Sequence, residues 1–210
     1  MPRPSQNIAQ ALLAAGRALY PERGAAGLSV RALAEHAGVN LGMFHYHFRT
    51  KDVFLRTLLQ QFYEDMFAPL SSLAQQEGPP LARLRGALLF IGCFARDHSA
   101  VLGRVLADAS NGDAVARDFL QANAPRHLRL LMALMDEAER AGEIVPLPPL
   151  QRFVFVMSGV VLPALVVPRI AALDIAPPGL RDQIGPQVTS DAAIAQRVEL
   201  ALAALRRGTE

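Results

Sequence analysis

Residues 37 to 52 read Ala-Gly-Val-Asn-Leu-Gly-Met-Phe-His-Tyr-His-Phe-Arg-Thr-Lys-Asp, a run that gathers aromatic, imidazole and ammonium donors around a glycine. At about 100° per residue Phe44 and Phe48 fall on one side of a helix, Gly42, Met43 and Tyr46 fall opposite, and His45 and His47 take the flanks. The chemistry on offer is recognition of a groove lined with anions. Gly42 lets backbone approach bases or phosphates, and Tyr46 and His47 carry donors on bulky stems. Lys51 stands beside Thr50, the cap of the next helix, where side-chain charge and helix dipole both favour an anion. Leu41 and Met43 can reach a thymine methyl, but no Arg, Gln or second Asn protrudes from mid-helix for bidentate base reading. Any sequence preference is therefore expected to lean on apolar contacts and DNA shape.

Two helices are needed to present that surface. The first is expected to start at Ser29, whose hydroxyl can accept from an amide one turn on, and Val30, Leu33, Ala34 and Ala37 form its inner face. Ala34 is small enough for a close helix crossing, Gly38 can take positive φ, and Val39 returns the chain to the core. Asn40 then caps the second helix. This Ala-x-x-x-Gly-Val spacing is that of a helix-turn-helix.

On these residues the segment 5–55, about a quarter of the chain, resembles the DNA-binding domain of the TetR family of bacterial transcriptional regulators. The family pattern runs roughly Ala-Gly-Val-Ser-x-Gly-x-Leu-Tyr-x-His-Phe-x-x-Lys-Glu, against Ala37 to Asp52 here. The resemblance implies that Ser29 and Arg31 on the second helix, Leu41, Gly42, Met43, His45, Tyr46 and His47 on the third, and Lys51 on the fourth contact DNA. One departure stands out: His45 replaces the family's usual Tyr, which makes that contact weaker or sensitive to pH. A partly buried Tyr46 is the competing reading of the same helix.

Charge is distributed to match. Residues 1–60 hold seven Arg and Lys against three Asp and Glu, a net +4, while the other 150 residues carry −2. Three histidines, His36, His45 and His47, invite a metal reading, but residues two apart on a helix point in different directions, so no metal and no cofactor is expected. Asp97 with His98, or Asp108 with Arg104, has no nucleophile elbow or phosphate-cradling loop beside it, so the chain is not read as an enzyme. Cys93 is the only cysteine, which excludes an internal disulfide. The N terminus lacks a charged-then-apolar leader, and a cytoplasmic protein is expected. The apolar run from Phe153 to Val167 is shorter than a bilayer needs and is read as a buried helix, with no membrane partner.

The whole chain reads as all-α, with an N-terminal three-helix helix-turn-helix domain over 1–50 and a larger helical effector-binding and dimerisation domain over 51–210. The first helix, bearing Ile8, Leu12, Ala15 and Leu19, is expected to stop near Pro21 and Gly24, and a long fourth helix bears Leu55, Leu58, Leu59, Phe62 and Met66. Pro125 is expected to kink or split the helix from Asp113 to Ala141, and residues 177–186 read as a loop. The last two helices, about Leu150 to Leu173 and Asp191 to Arg207, resemble in placement the pair through which TetR regulators dimerise. Val154, Met157, Val161, Val198, Leu202 and Leu205 are the expected dimer residues.

An effector pocket in the middle helices would be lined by Phe90, Cys93, Phe94, Phe119, Leu128, Met132 and Met135, soft and apolar side chains suited to a small lipophilic guest, unless they are ordinary core. His98, Arg104, Asp108, His127 and Arg129 are the polar candidates to orient it. The function expected is a ligand-responsive repressor, bound as a homodimer to a palindromic operator of double-stranded DNA and released when effector favours the DNA-incompetent form. The alternatives are a ligand-independent DNA-binding partner protein of the same family, and a relative whose DNA face has turned to binding protein.

Overall fold

The computed structural model describes residues 4–173 and 177–206, and those residues are helical throughout, joined by short turns. In order they are α1 (Pro4–Gly27), α2 (Val30–Ala37), α3 (Leu41–Phe48), α4 (Lys51–Ala74), α5 (Pro80–Asp97), α6 (Ser99–Ser110), α7 (Ala114–Arg140), α8 (Pro149–Ala172), α9 (Pro178–Ile184) and α10 (Asp191–Leu205). The all-α expectation holds. Arg207 lies outside the described residues. The segment expected as a loop is instead α9 followed by a π-helical turn, Gly185–Thr189, because Pro178 is well placed at a helix start, where its missing N–H costs nothing.

Contacts divide the described residues into two compact units, one of the residues up to 65 with 100–124 and one of 66–99 with those from 125 on. Both α4 and α7 run from one unit into the other. Pro125 neither splits nor ends α7, although it leaves one carbonyl without an amide donor.

In the first unit Leu12, Leu13 and Tyr20 of α1, Leu33 of α2, Phe44 and Phe48 of α3, and Phe54, Leu55, Leu58 and Leu59 of α4 form one core. Val105 of α6 and Val115 and Ala116 of α7 complete it. Helix α1 passes Pro21 and breaks at Gly24 (φ 66, ψ −177), then adds one further turn. In an unbroken helix the Ala25 amide would donate to the Pro21 carbonyl. Here it donates to Asp108 Oδ2 at 2.8 Å, and Pro21 and Glu22 carbonyls accept instead from the Arg104 guanidinium at 3.3 and 2.9 Å. Arg104 and Asp108, four apart on α6, thus supply the acceptor and donors that the break removed.

Tyr20 donates to the same carboxylate at 2.9 Å. Burial first, then the bond to Asp108 and its charge, hold the phenol far above its ordinary pKa, so it stays a donor. A Cβ at position 24 would fall 2.8 Å from both Arg104 Cδ and Asp108 Oδ1, so the splint needs glycine for room as well as for φ. Arg104 and Asp108, expected as effector-orienting residues, are committed to α1 because a broken helix leaves polar groups that must be satisfied.

In the second unit α5, α8 and α10 contact one another. Leu84 and Leu88 of α5, Val156, Val160 and Ala164 of α8, and Ile194, Val198, Leu202 and Leu205 of α10 are buried. Arg152, fully buried, is held by Asp136 and Glu139 of α7. Helix α7 ends where expected: Gly142 (φ 74) follows the last turn, and the Glu143 amide reaches back to Ala138 O at 3.0 Å.

Replacing Asp108 with Ala strands the Ala25 amide and the Tyr20 hydroxyl in a buried site. A loss of about 2–4 kcal/mol is expected in chemical denaturation, against near-neutral behaviour for Asp118→Ala, whose partner Arg56 is solvated.

Candidate nucleic-acid interface

Both short helices are bounded as the side chains dictate. Ser29 Oγ accepts from the Ala32 amide at 3.1 Å, and Asn40 Oδ1 accepts from Gly42 N at 2.8 Å. Gly38 (φ 65, ψ 30) ends α2 in the left-handed region, and the Val39 amide reaches Ala34 O at 3.0 Å. Three hydrogen bonds thereby pin the chain between residues 29 and 42, which leaves the turn little freedom.

Helix α3 has two chemically distinct sides. Phe44 and Phe48 are buried against Phe54 of α4, with ring centroids 5.4 and 5.0 Å from it, in tilted and edge-on geometries that suit aromatic rings. Leu41, Gly42, His45 and Tyr46 are exposed, Tyr46 at 73%. Tyr46 is therefore free of α4, and the partly buried alternative falls. Met43 is half-buried. His47 is also half-buried, and its Nε2 is enclosed without a hydrogen-bond partner, so that nitrogen is not a donor on the open face as expected. The imidazole packs edge-on against the Tyr46 ring, 5.0 Å away.

The neighbouring cations differ in their commitments. Arg31 is exposed and pairs with Glu35 on its own helix. Lys51 donates to the Ala25 carbonyl at 2.9 Å, which leaves two ammonium protons unspent. Its head is therefore positioned by the same residue whose amide Asp108 holds. Thr50 caps α4 by accepting from Val53 N at 3.2 Å, as expected. Arg49, absent from the expected set, is exposed between these groups, and its guanidinium has no partner among the described residues. Nothing in the sequence flags it, because an arginine between a helix and a cap reads as ordinary surface.

Sites expected elsewhere are scattered. Phe119 belongs to the first unit, where it helps line a groove of about 850 Å³ with Gln60, Asn123 and the ion-paired Arg17 and Arg56. Phe90, Cys93, Phe94, Leu128, Met132 and Met135 belong to the second unit; Met135 is fully buried core and the others are half-buried. Burial pushes the Cys93 thiol up from its ordinary pKa, with Arg96 one turn on pulling the other way. No cluster of three or more His, Cys, Asp or Glu among the described residues is placed to hold a metal ion.

The expected dimer residues also divide. Val198, Leu202 and Leu205 are buried by the chain's own α5 and α8, because α10 turns that stripe inward. Met157 and Val161 are half-buried, and Val154 is exposed alongside Phe155, Leu162, Val166 and Ile170. Helix α8 is thus buried along one stripe only, contrary to the expected buried helix. Over Pro149–Ala171 it is also long and apolar enough to cross a membrane, with a mean hydropathy of 2.1, although the run was expected to be too short. The difference arises because Leu150 and the residues beyond Val167 extend the apolar run.

Residues 12–58, spanning both helices and the turn, match the family described as bacterial regulatory proteins, tetR family. The HTH-type transcriptional repressor DhaR of Mycobacterium sp. (strain GP1) is 33% identical over 138 residues, 65% of this chain and 70% of that protein. The chain belongs to the tetR family. A second relative, the HTH-type transcriptional repressor KstR2 of Mycobacterium tuberculosis (strain ATCC 25618 / H37Rv), is 34% identical over 83 residues. That match covers 40% of each chain. The solved structure of KstR2 from the same species shares the fold, with a TM-score of 0.69 at 19% identity over 95% of both chains. These relatives are named as regulators of transcription, not as enzymes.

The two sides of α3 make opposite predictions for stability. Phe44→Ala empties a core position and is expected to cost about 3–5 kcal/mol. Tyr46→Ala is expected to stay within about 0.5 kcal/mol, both read from the midpoint of urea denaturation.

Proposed function

We propose that this tetR-family protein is a DNA-binding transcriptional repressor that acts as a homodimer on a palindromic operator. The observation that carries the reading is the exposed side of α3, where Leu41, Gly42, His45 and Tyr46 stand clear of a core that Phe44 and Phe48 anchor. Ser29, Arg31, Met43, His47 and Lys51 border that side, and Lys51 brings a positioned ammonium. Phosphate contacts from Lys51 and Arg31 set register; Leu41 and Met43 meet base edges.

One eight-residue helix reads too few base pairs for a genome, and two related by a twofold axis read two half-sites. The outer stripe of α8 supports a second copy as the partner. Phe155 and Leu162 are about half exposed there, and Leu200 of α10 is 63% exposed. A groove of about 330 Å³ beside them is lined by Phe155, Ser158, Gly159 and Leu200 and by Arg197, whose Nε and one terminal nitrogen are buried without an acceptor. Burial pushes that guanidinium's pKa down, a cost that a facing acceptor from another copy relieves. The exposed stripe is a dimer face in this reading, not a membrane-spanning surface.

The effector is a small lipophilic molecule taken up among Phe90, Cys93, Phe94, Leu128, Met132 and Met135. KstR2 is named a ketosteroid regulator, and the soft side chains here suit an apolar guest of comparable character. Because α4 and α7 each continue from one unit into the other, a shift in either reaches the recognition helices. Effector must favour the DNA-incompetent form by a few kcal/mol to give useful release.

Genomic fragments selected by the purified protein are expected to share a palindrome, and Lys51→Ala to weaken binding to that site and to mixed-sequence duplex by the same factor. Leu41→Ala is expected to change preference among sites instead. Equal effects of both on specific and random DNA would count against the assignment. Phe155→Glu with Leu162→Glu is expected to give a folded monomer by sedimentation; a dimer that persists would place the interface elsewhere.

A further inference from the structure

The turn that joins the recognition helix to α4 contains the one residue other than glycine, among those described, that sits at positive φ. Arg49 has φ 62 and ψ −57, and the Thr50 amide donates across it to Phe48 O at 2.6 Å. That is a γ-turn of the strained, positive-φ kind, in which a Cβ is crowded by backbone.

The conformation is held from all sides. The Arg49 amide donates to His45 O at 3.1 Å, its carbonyl lies 3.2 Å from His45 Nδ1, and Phe54 N donates to Thr50 O at 3.2 Å. The aromatic contacts of Phe54 with Phe44 and Phe48 require the chain to reverse there. Position 49 is therefore set by its surroundings, and glycine would occupy it without strain.

An arginine stands there nonetheless, and its side chain does nothing visible for the fold. Arg17, Arg31 and Arg56 of the same unit pair with carboxylates, and Lys51 and Arg104 donate to carbonyls. The Arg49 guanidinium is exposed and unpaired among the described residues, directly after the last turn of α3 and two residues before Lys51.

We propose that Arg49 is a DNA phosphate-binding residue, retained at a strained position for its guanidinium. The inference rests on the DNA-binding reading above. Its planar fork donates to a phosphate oxygen pair beside the groove that α3 enters, fixing the register of α3 without reading sequence. The competing account is structural: a cation after the last turn of α3 interacts favourably with the helix dipole. Glycine relieves the strain under either account, so stability falls on removal of the side chain only where the dipole contribution outweighs that relief.

The test compares wild type with Arg49→Gly, Arg49→Lys and, as a control for net charge, Arg140→Ala. Denaturation midpoints are measured alongside binding of a labelled mixed-sequence duplex over a range of potassium chloride concentrations. Arg49→Gly is expected to raise the midpoint, to weaken binding about threefold to tenfold, and to lower the slope of log K against log salt by about 0.9 for each Arg49 that meets the duplex. Arg49→Lys is expected to keep the wild-type slope, and Arg140→Ala to leave slope and affinity unchanged. A lower midpoint for Arg49→Gly overturns the proposal in favour of the dipole. An unchanged slope for Arg49→Gly, or an equal fall for Arg140→Ala, overturns it while the DNA reading survives. Folded wild-type protein that ignores every duplex at low salt overturns both.

Discussion

An eight-residue helix is too short to hold its shape in water, and everything proposed for this chain depends on α3 holding its shape. It does so because two of its eight residues, Phe44 and Phe48, drive their rings into a core with Phe54. That single anchorage decides which side chains remain outside. With one side committed to the core, Leu41, Gly42, His45 and Tyr46 have nowhere to go but solvent. The caps at Ser29 and Asn40 and the left-handed turn at Gly38 refine the angle of presentation.

A second layer of constraint comes from α6. The break at Gly24 would leave a buried amide and two carbonyls unsatisfied, and Arg104 and Asp108 take them up. Ala25 is then gripped on both sides, its amide by Asp108 and its carbonyl by Lys51. A helix whose Asp108 lies 83 residues beyond Ala25 thus shares in placing a cation next to the recognition helix. This explains physically why the first compact unit extends beyond the helix-turn-helix to include 100–124.

The outer stripe of α8 and the strained turn at Arg49 are both places where local economy is violated. An apolar helix left half exposed, with buried arginine nitrogens in the groove beside it, is costly for an isolated chain and sensible for one that pairs. An arginine at positive φ is costly for the turn and sensible where its charge meets phosphate. Each is a departure from the rule that governs the rest of the chain, and each lies where a macromolecular partner is proposed.

The residue order alone determined the all-α class, the caps at Ser29, Asn40 and Thr50, the turn at Gly38, the inward Phe pair and the stop at Gly142. These are short-range effects, set by side-chain chemistry within a turn or two, so spacing reveals them. Tertiary structure alone decided that Arg104 and Asp108 serve α1 and not a ligand, and that Val198, Leu202 and Leu205 face inward. It also decided that Phe119 belongs with the first unit, that His47 hides one nitrogen, and that Arg49 is strained. In each of these the deciding partner lies on another helix or in the path the chain must take between two of them, and a helical stripe is equally apolar whichever neighbour covers it.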